Sequence, residues 1–158
     1  MFCVGVKHTP LPVRRYTLRK LIQSVRRHIS TAVPIVAYDG PGTFTYKNAI
    51  SIQLPQDAGV SMGRHTIVND CKHEVIIIVD DDVEFFKNSR LKDMVNPILQ
   101  NRVDVVTGCY IERGLKKCYA HQLNVDDGVV SSRFLETPNQ YTIEWTWDTI
   151  FWLRELHS

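Results

Sequence analysis

The fold class of this chain follows from the segment Val75-Ile76-Ile77-Ile78-Val79-Asp80-Asp81-Asp82. Its consecutive β-branched residues predict a strand buried on both faces, because a strand with one face in water would alternate apolar and polar residues. Three aspartates follow at the point where that strand is expected to end. Ligands of open α/β sheets bind at the carboxyl ends of the strands, so these aspartates are the first candidates for a binding site.

Three adjacent carboxylates repel one another, and a bound cation would relieve that repulsion. Carboxylate oxygens suit a hard divalent cation, and such a cation commonly holds a phosphate-bearing substrate. We therefore predict a site for a metal ion and a phosphate group at Asp80, Asp81 and Asp82. The alternative interpretation is a solvated acidic loop that follows a core strand.

The overall composition is that of an ordinary globular domain. The 158 residues are 44% hydrophobic and 23% charged, which predicts one domain with a sizeable core. A formal net charge of +2 is too small to indicate a nucleic acid or an acidic membrane as the partner. No apolar run has the length of a membrane span and no signal-peptide pattern precedes the first predicted strand, so we expect any anchor to lie outside this sequence.

The four cysteines give no sign of a zinc site. Cys3, Cys71, Cys109 and Cys118 lie far apart, without a CxxC pair or a Cys/His pair at zinc spacing. The first three lie in apolar surroundings, which favours buried free thiols. Disulfides stay open as the alternative.

Strands alternate with helices along most of the chain, which predicts an α/β fold with a mostly parallel sheet and helices on both faces. The predicted strands span residues 2–6, 34–38, 49–54, 75–79 and 103–111, and the predicted helices span about 11–28, 61–71 and from 89 onward. Ser61 is the expected N-cap of the second helix, and Pro97 should kink or end the third. Segments 118–125 and 129–134 flank Asp126-Asp127-Gly128, a pattern that predicts a β-hairpin rather than a second metal site.

The first predicted helix has a basic face opposite its apolar face. That face carries Arg14, Arg15, Arg19, Arg26 and Arg27. A polyanion is one possible partner, but the low net charge favours a solvated helix face.

Two further residues extend the predicted site. Asp39 ends the second strand, and the ends of two strands in one parallel sheet face a single crevice. Arg64 falls on the predicted apolar stripe of its helix with Val60 and Ile67, and an arginine facing the sheet requires a carboxylate or phosphate partner. The alternative for Arg64 is a side chain whose guanidinium reaches water.

These residues together predict a nucleotide-diphosphate substrate bridged to the aspartates by Mg²⁺ or Mn²⁺. The ion would stabilise the negative charge that develops on a departing diphosphate. The sequence contains no GxxxxGK[ST], GxGxxG or GxSxG segment, which disfavours P-loop, Rossmann dinucleotide and hydrolase chemistry. A phosphatase with an aspartate nucleophile would require the acidic strand to come first in the fold, whereas here it comes fourth.

A family resemblance adds to this interpretation. Gly59-Val60-Ser61-Met62-Gly63-Arg64-His65, followed by Val79-Asp80-Asp81-Asp82-Val83-Glu84-Phe85, resembles the GT-A-fold glycosyltransferases of family 2, in particular the β-1,4-N-acetylgalactosaminyltransferases. Those enzymes carry a similar Gly-Val-Ser-x-Gly-Arg segment ahead of a strand that ends in a DxD motif. Residues 2–112 carry the resemblance well and the rest of the chain loosely. Two departures, His65 and Asn69, leave the exact sugar donor open.

The resemblance implies a role for each matching residue. Asp80 and Asp82 would bind the metal, usually Mn²⁺, and Asp81 would join Asp80 at the nucleotide-sugar. Asp39 would bind the uracil or ribose of a UDP-sugar, with Thr9 and Arg64 beside the nucleotide. The acceptor would be a glycan or glycolipid hydroxyl, and the compartment the Golgi lumen.

The resemblance further divides the chain into a nucleotide-sugar-binding half, residues 1–112, and part of an acceptor-side half, residues 113–158. The C-terminal part of the fold is expected to be truncated. Asp148 is the candidate catalytic base, and Glu144 is a weaker one.

Three functions stay open at this point. The favoured one is an inverting glycosyltransferase that moves a sugar, such as an N-acetylhexosamine, from UDP to a hydroxyl group. The second is a nucleotide-sugar-binding pseudoenzyme, or an enzyme fragment that lacks the catalytic base. The third is a nucleotidyltransferase, disfavoured because Lys7-His8-Thr9-Pro10 stands where such enzymes have a glycine-rich phosphate loop.

Overall fold

A computed structural model of the protein describes residues 2–102, 105–108, 110–112, 114–117, 121–126, 129–134 and 150–154. Three helices and ten strands are present among these residues. In chain order they are β1 (Phe2–His8), α1 (Pro12–His28), β2 (Ala32–Tyr38), β3 (Ile50–Gln53), α2 (Gly59–Asp70), β4 (Val75–Val79), α3 (Leu91–Leu99), β5 (Val105–Thr107), β6 (Tyr110–Glu112), β7 (Leu115–Lys117), β8 (His121–Asp126), β9 (Val129–Phe134) and β10 (Ile150–Arg154).

The central sheet has the strand order β3-β2-β1-β4-β10-β5. Strands β1, β2, β3 and β4 pair in parallel, whereas β10 runs antiparallel to both β4 and β5. The prediction of a mostly parallel sheet is therefore confirmed. In this register Val6 of β1 lies between Val36 of β2 and Val79 of β4, so the three strands end at the same edge.

Helices cover both faces of the sheet, as predicted. Alternate residues of β4 point to opposite faces, and all five are buried, which explains its unbroken apolar sequence. On one face, Ile77 packs in a core with Leu21 of α1 and Ile98 of α3. On the other face, Ile76 and Ile78 pack in a core with Ile67 of α2.

Close packing of α2 on β1 depends on a glycine in the strand. A Cβ atom added to Gly5 would overlap Cγ2 of Ile67, which is fully buried. The missing side chain therefore sets how near the helix lies to the sheet.

Some local expectations are wrong in instructive ways. Helix α2 begins at Gly59 after Ala58, so Ser61 is not its N-cap, and Val60 is exposed rather than part of the apolar stripe. Gly59, the first residue of α2, has a φ of 81°, a left-handed conformation that favours glycine.

Two later elements also differ from or agree with the prediction. The strand predicted at 103–111 is divided into β5 and β6. Helix α3 ends two residues after Pro97, as predicted.

The preference for free thiols at Cys3 and Cys71 is wrong. These two residues form a disulfide that joins β1 to the end of α2, with their Cα atoms 6.1 Å apart. The parallel pairing of β1 with β4 and the packing of α2 bring them together across 68 positions of sequence. Cys109 and Cys118 lie outside the described residues.

The predicted hairpin is confirmed by the antiparallel pairing of β8 and β9, with Asp126 opposite Val129. Asp127 and Gly128 themselves lie outside the described residues. Within the described part of the chain, no helix is both long and apolar enough to span a membrane.

Candidate functional site

The polar residues at the ends of β1, β2 and β4 meet at one edge of the sheet. Strand β1 ends in Lys7 and His8, with Thr9 next. Asp39 follows β2, and the Asp80–Asp81–Asp82 triplet follows β4. The parallel registers place these chain segments side by side, as predicted for Asp39 and the triplet.

Asp39 is held by residues of two other elements. The Lys7 ammonium lies 2.7 Å from Oδ2 of Asp39, and the backbone N–H of Gly59 donates to the same oxygen at 3.3 Å. Asp39 is only 4% exposed, and among the described residues its other oxygen, Oδ1, has no hydrogen-bond partner. Lys7 also donates to the Thr9 hydroxyl at 2.8 Å, so Asp39 and Thr9, both predicted from sequence, share one lysine.

A glycine in α2 makes room for that lysine. A Cβ atom added to Gly63 would overlap Cγ of Lys7, so the lysine stem lies directly against the helix at this position. Gly63 is buried. The second glycine of the Gly59–Arg64 segment is thus needed for the path of Lys7 toward Asp39.

Arg64 has the carboxylate partner expected for it. Its Nη2 donates to Oδ1 of Asp80 at 3.2 Å, and both side chains are partly exposed. Helix α2 thereby reaches the triplet at the end of β4. An exposed ion pair of this kind contributes little to stability, and its groups stay accessible to a ligand.

Asp81 differs from its two neighbours because it is buried, with 2% exposure. Its Oδ2 lies 2.8 Å from Nδ1 of His8, and its Oδ1 accepts a hydrogen bond from Nη1 of Arg14. Burial raises the pKa of Asp81, but the hydrogen bonds from His8 and Arg14 outweigh burial and hold the pKa below its ordinary value. The Asp81 hydrogen bond also raises the pKa of Arg14.

Asp82 is the most exposed member of the triplet. Its side chain is 54% exposed, and Nη1 of Arg14 lies 3.8 Å from its Oδ2. Among the described residues, no group of three His, Cys, Asp or Glu side chains is arranged to hold a metal ion by itself. The metal-binding role of Asp80 and Asp82 stays a prediction; one or two carboxylates commonly bind Mg²⁺ or a similar ion together with substrate phosphates.

Sequence reasoning missed Lys7, His8 and Arg14. Lys7 and His8 are polar residues at the end of a buried strand, a signal that was available. Arg14 was assigned to a solvated helix face, an interpretation that is wrong for this residue because it contacts Asp81 and Asp82. Asp148 and Glu144, the candidates for the catalytic base, lie outside the described residues.

The family model for glycosyl transferase family 2 matches residues 30–147, about three quarters of the chain. The chain belongs to this family. The family 2 match favours the glycosyltransferase prediction over the nucleotidyltransferase alternative. The matched segment contains Asp39, Arg64 and the triplet, whereas Lys7, His8 and Arg14 precede it.

Curated relatives agree with the family assignment. The chain is 29% identical over 114 residues to β-1,4 N-acetylgalactosaminyltransferase 1 of Mus musculus, covering 70% of this chain and 21% of the relative. The Homo sapiens protein of the same name matches with the same identity and coverage. The matched part of the chain thus spans about a fifth of the length of these relatives.

Solved structures support the GT-A fold. TarS 1-349 of S. aureus superimposes with a TM-score of 0.53 at 20% identity, covering 77% of this chain and 41% of TarS. A complex of TarS 1-349 with UDP-GlcNAc gives the same TM-score, covering 75% and 39%. A 2-C-methyl-D-erythritol 4-phosphate cytidylyltransferase of Thermus thermophilus superimposes with a TM-score of 0.54 at 10% identity, covering 96% and 70%. At these identities the likeness concerns the fold alone.

Proposed function

We propose that this family 2 domain binds a UDP-sugar, such as a UDP-N-acetylhexosamine, and transfers the sugar to a hydroxyl group of a glycan or glycolipid. Family membership supports glycosyl transfer. The names of the relatives, N-acetylgalactosaminyltransferases, and the UDP-GlcNAc bound by TarS support this class of donor. The alternative is a domain that binds the donor without turnover.

The observation that carries the proposal is the Asp39 carboxylate. A buried acceptor atom without a donor is costly, and among the described residues Oδ1 of Asp39 has no donor. The N3–H group of uracil or a ribose hydroxyl would supply one. Thr9 lies beside Asp39 through the shared Lys7 contact, so we place the nucleoside at the ends of β1 and β2.

The diphosphate would lie at the end of β4. Asp80 and Asp82 would hold a Mn²⁺ or Mg²⁺ ion together with the diphosphate. When bound, the ion would stabilise the negative charge on the departing UDP. Arg64, paired with Asp80 and partly exposed, would orient the diphosphate from the side of α2.

The remaining parts of the proposal concern the acceptor side and the compartment. We assign donor binding to residues 1–112 and part of the acceptor side to 113–158, with Asp148 as the candidate base. The Cys3–Cys71 disulfide supports an oxidising compartment, and the Golgi lumen is one.

Calorimetric titration of UDP in Mn²⁺ and in chelator tests the donor site. Wild-type protein should bind UDP more tightly with Mn²⁺, and Asp82→Asn should remove the metal dependence. Asp93→Asn is the matched control, because Asp93 is also 54% exposed and lies on α3. Asp39→Asn should weaken UDP binding with and without metal. The uncharged amide is a poorer hydrogen-bond acceptor for the uracil or ribose than the carboxylate is.

Failure of folded wild-type protein to bind UDP would refute the donor site. Binding of UDP without hydrolysis or transfer of a UDP-N-acetylhexosamine, tested over a panel of glycan and glycolipid acceptors, would instead favour the binding-only alternative.

A further inference from the structure

We propose that His8, Asp81 and Arg14 form a positioning network that fixes the turn after β4, so that Asp80 and Asp82 face the metal while Asp81 contacts neither metal nor nucleotide. This inference rests on the proposed function. It gives Asp81 a different role from the one the family resemblance implies.

The first argument is the contrast within the triplet. Asp80 and Asp82 are partly exposed, whereas Asp81 is 2% exposed and each of its oxygens already has a cationic or N–H partner. A ligand would have to displace His8 or Arg14 to reach the Asp81 carboxylate. Breaking such a buried charged contact is strongly unfavourable, so Asp81 is better suited to hold the turn than to bind a ligand.

The second argument is the rigidity of His8. It is fully buried at the end of β1, with its ring centroid 5.9 Å from that of Tyr38 and 5.8 Å from that of Phe44. Strand β1 pairs directly with β4, so the contact with Asp81 ties together the ends of two neighbouring strands. The ring has little freedom to move, and the carboxylate it holds is fixed in turn.

The hydrogen-bond pattern also assigns the imidazole tautomer. Among the described residues, Nε2 of His8 is buried without a partner, while Nδ1 faces the Asp81 carboxylate. An ionised carboxylate accepts hydrogen bonds and cannot donate them, so Nδ1 carries a proton and donates it to Asp81.

Arg14 links the network to the exposed member of the triplet. Its Nη1 contacts Oδ1 of Asp81 and lies 3.8 Å from Oδ2 of Asp82. One guanidinium therefore offsets the repulsion between adjacent carboxylates and joins α1 to the turn. The turn itself is closed by the Val83 N–H, which donates to the Asp80 carbonyl at 3.3 Å.

Two substitutions at His8 separate the effect of its hydrogen bond to Asp81 from the effect of losing the imidazole ring. The amide nitrogen of His8→Asn can take the place of Nδ1 and still donate to Asp81, whereas the amide of His8→Gln reaches the place of Nε2 and cannot. Both variants remove the ring, so His8→Asn is the conservative control for His8→Gln. Circular dichroism and thermal melting identify variants that stay folded.

Two measurements then follow. Electron paramagnetic resonance of free Mn²⁺ at saturating UDP should give His8→Asn an affinity close to wild type and His8→Gln an affinity weaker by about tenfold or more. Asp81→Asn should weaken Mn²⁺ binding similarly but leave UDP binding in chelator unchanged. Hydrogen exchange of the Val83 amide, without any ligand, should be faster in His8→Gln than in His8→Asn.

Equal Mn²⁺ affinities for the two His8 variants would overturn the network, as would loss of UDP binding in chelator for Asp81→Asn. If wild-type protein binds no UDP, the proposed function fails, and hydrogen exchange alone decides the network. Equal exchange at Val83 in both variants would then reject it.

Discussion

The Lys7 ammonium lies 2.7 Å from the Asp39 carboxylate, and this ion pair joins the ends of β1 and β2 in a largely buried environment. Buried ion pairs are costly to break because the remaining charge loses both its partner and its water. The contact therefore connects the stability of the fold to the geometry of the proposed nucleoside site.

Lys7→Met should lower the free energy of unfolding by about 3 kcal/mol, because it leaves Asp39 buried with the Gly59 N–H as its one described donor. Urea denaturation followed by circular dichroism measures the change. Lys72→Met, at an exposed lysine, is the control and should change stability by less than about 0.5 kcal/mol. The double variant Lys7→Met/Asp39→Asn should recover part of the loss. If the unfolding free energy of the double variant falls by the sum of the two single-variant losses, the two residues are not coupled.

Gly5→Ala should destabilise the protein by about 1–3 kcal/mol, because the added methyl group overlaps Cγ2 of the buried Ile67. Ile67→Leu moves the branch of the side chain away from Cβ and should relieve the overlap. In urea denaturation, Gly5→Ala should therefore cost less in the Ile67→Leu background than in the wild type. An equal cost in both backgrounds would contradict this packing.

Replacing the disulfide with serines, in Cys3→Ser/Cys71→Ser, should cost about 2–4 kcal/mol, because the bond closes a long loop in the unfolded chain. Reductant should destabilise the wild-type protein by a similar amount. It should not change the stability of Cys3→Ser/Cys71→Ser through this bond, because the bond is already absent there. Peptide mapping after alkylation without reduction provides the direct check. Recovery of Cys3 and Cys71 as alkylated peptides would rule out the bond.

Asp81 should make the protein sensitive to acid. Its pKa in the folded state is lowered from the ordinary value of 3.8, so its contribution to stability is present above about pH 4 and is lost as the pH falls through the folded-state value. Asp81→Asn should flatten the fall in unfolding free energy below about pH 4, measured by urea denaturation in chelator. The exposed Asp70→Asn control should keep the wild-type slope. If the unfolding free energy of Asp81→Asn falls with pH as steeply as that of the wild type, Asp81 is not the source of the acid sensitivity.

Much of the fold was predictable because its local signals agree with its packing. The unbroken apolar run of β4 predicted a strand buried on both faces, and helices on either side bury it. Errors occurred where a local rule competes with tertiary packing. Ser61 resembled a helix cap, but the left-handed Gly59 starts α2 two residues earlier.

The candidate site was predictable in part for the same reason. Asp39 and the triplet stand at strand ends, and parallel strands that end at one edge bring such residues together. Lys7, His8 and Arg14 were not predicted, because their roles depend on partners 32, 73 and 67 positions away in sequence. Cys3 and Cys71 illustrate the same limit, since spacing alone does not specify a pairing across 68 positions.

The sequence by itself determined the α/β class, the alternation of strands and helices that makes the sheet mostly parallel, and the edge of the sheet at which the acidic residues collect. These follow from hydrophobic periodicity and from strand-end chemistry, both of which are local along the chain. Only the tertiary structure decided which carboxylate of the triplet is buried and which cation each aspartate faces. Burial and pairing depend on contacts between distant segments, and these contacts separate Asp81 from Asp80 and Asp82 although the three residues are identical in kind.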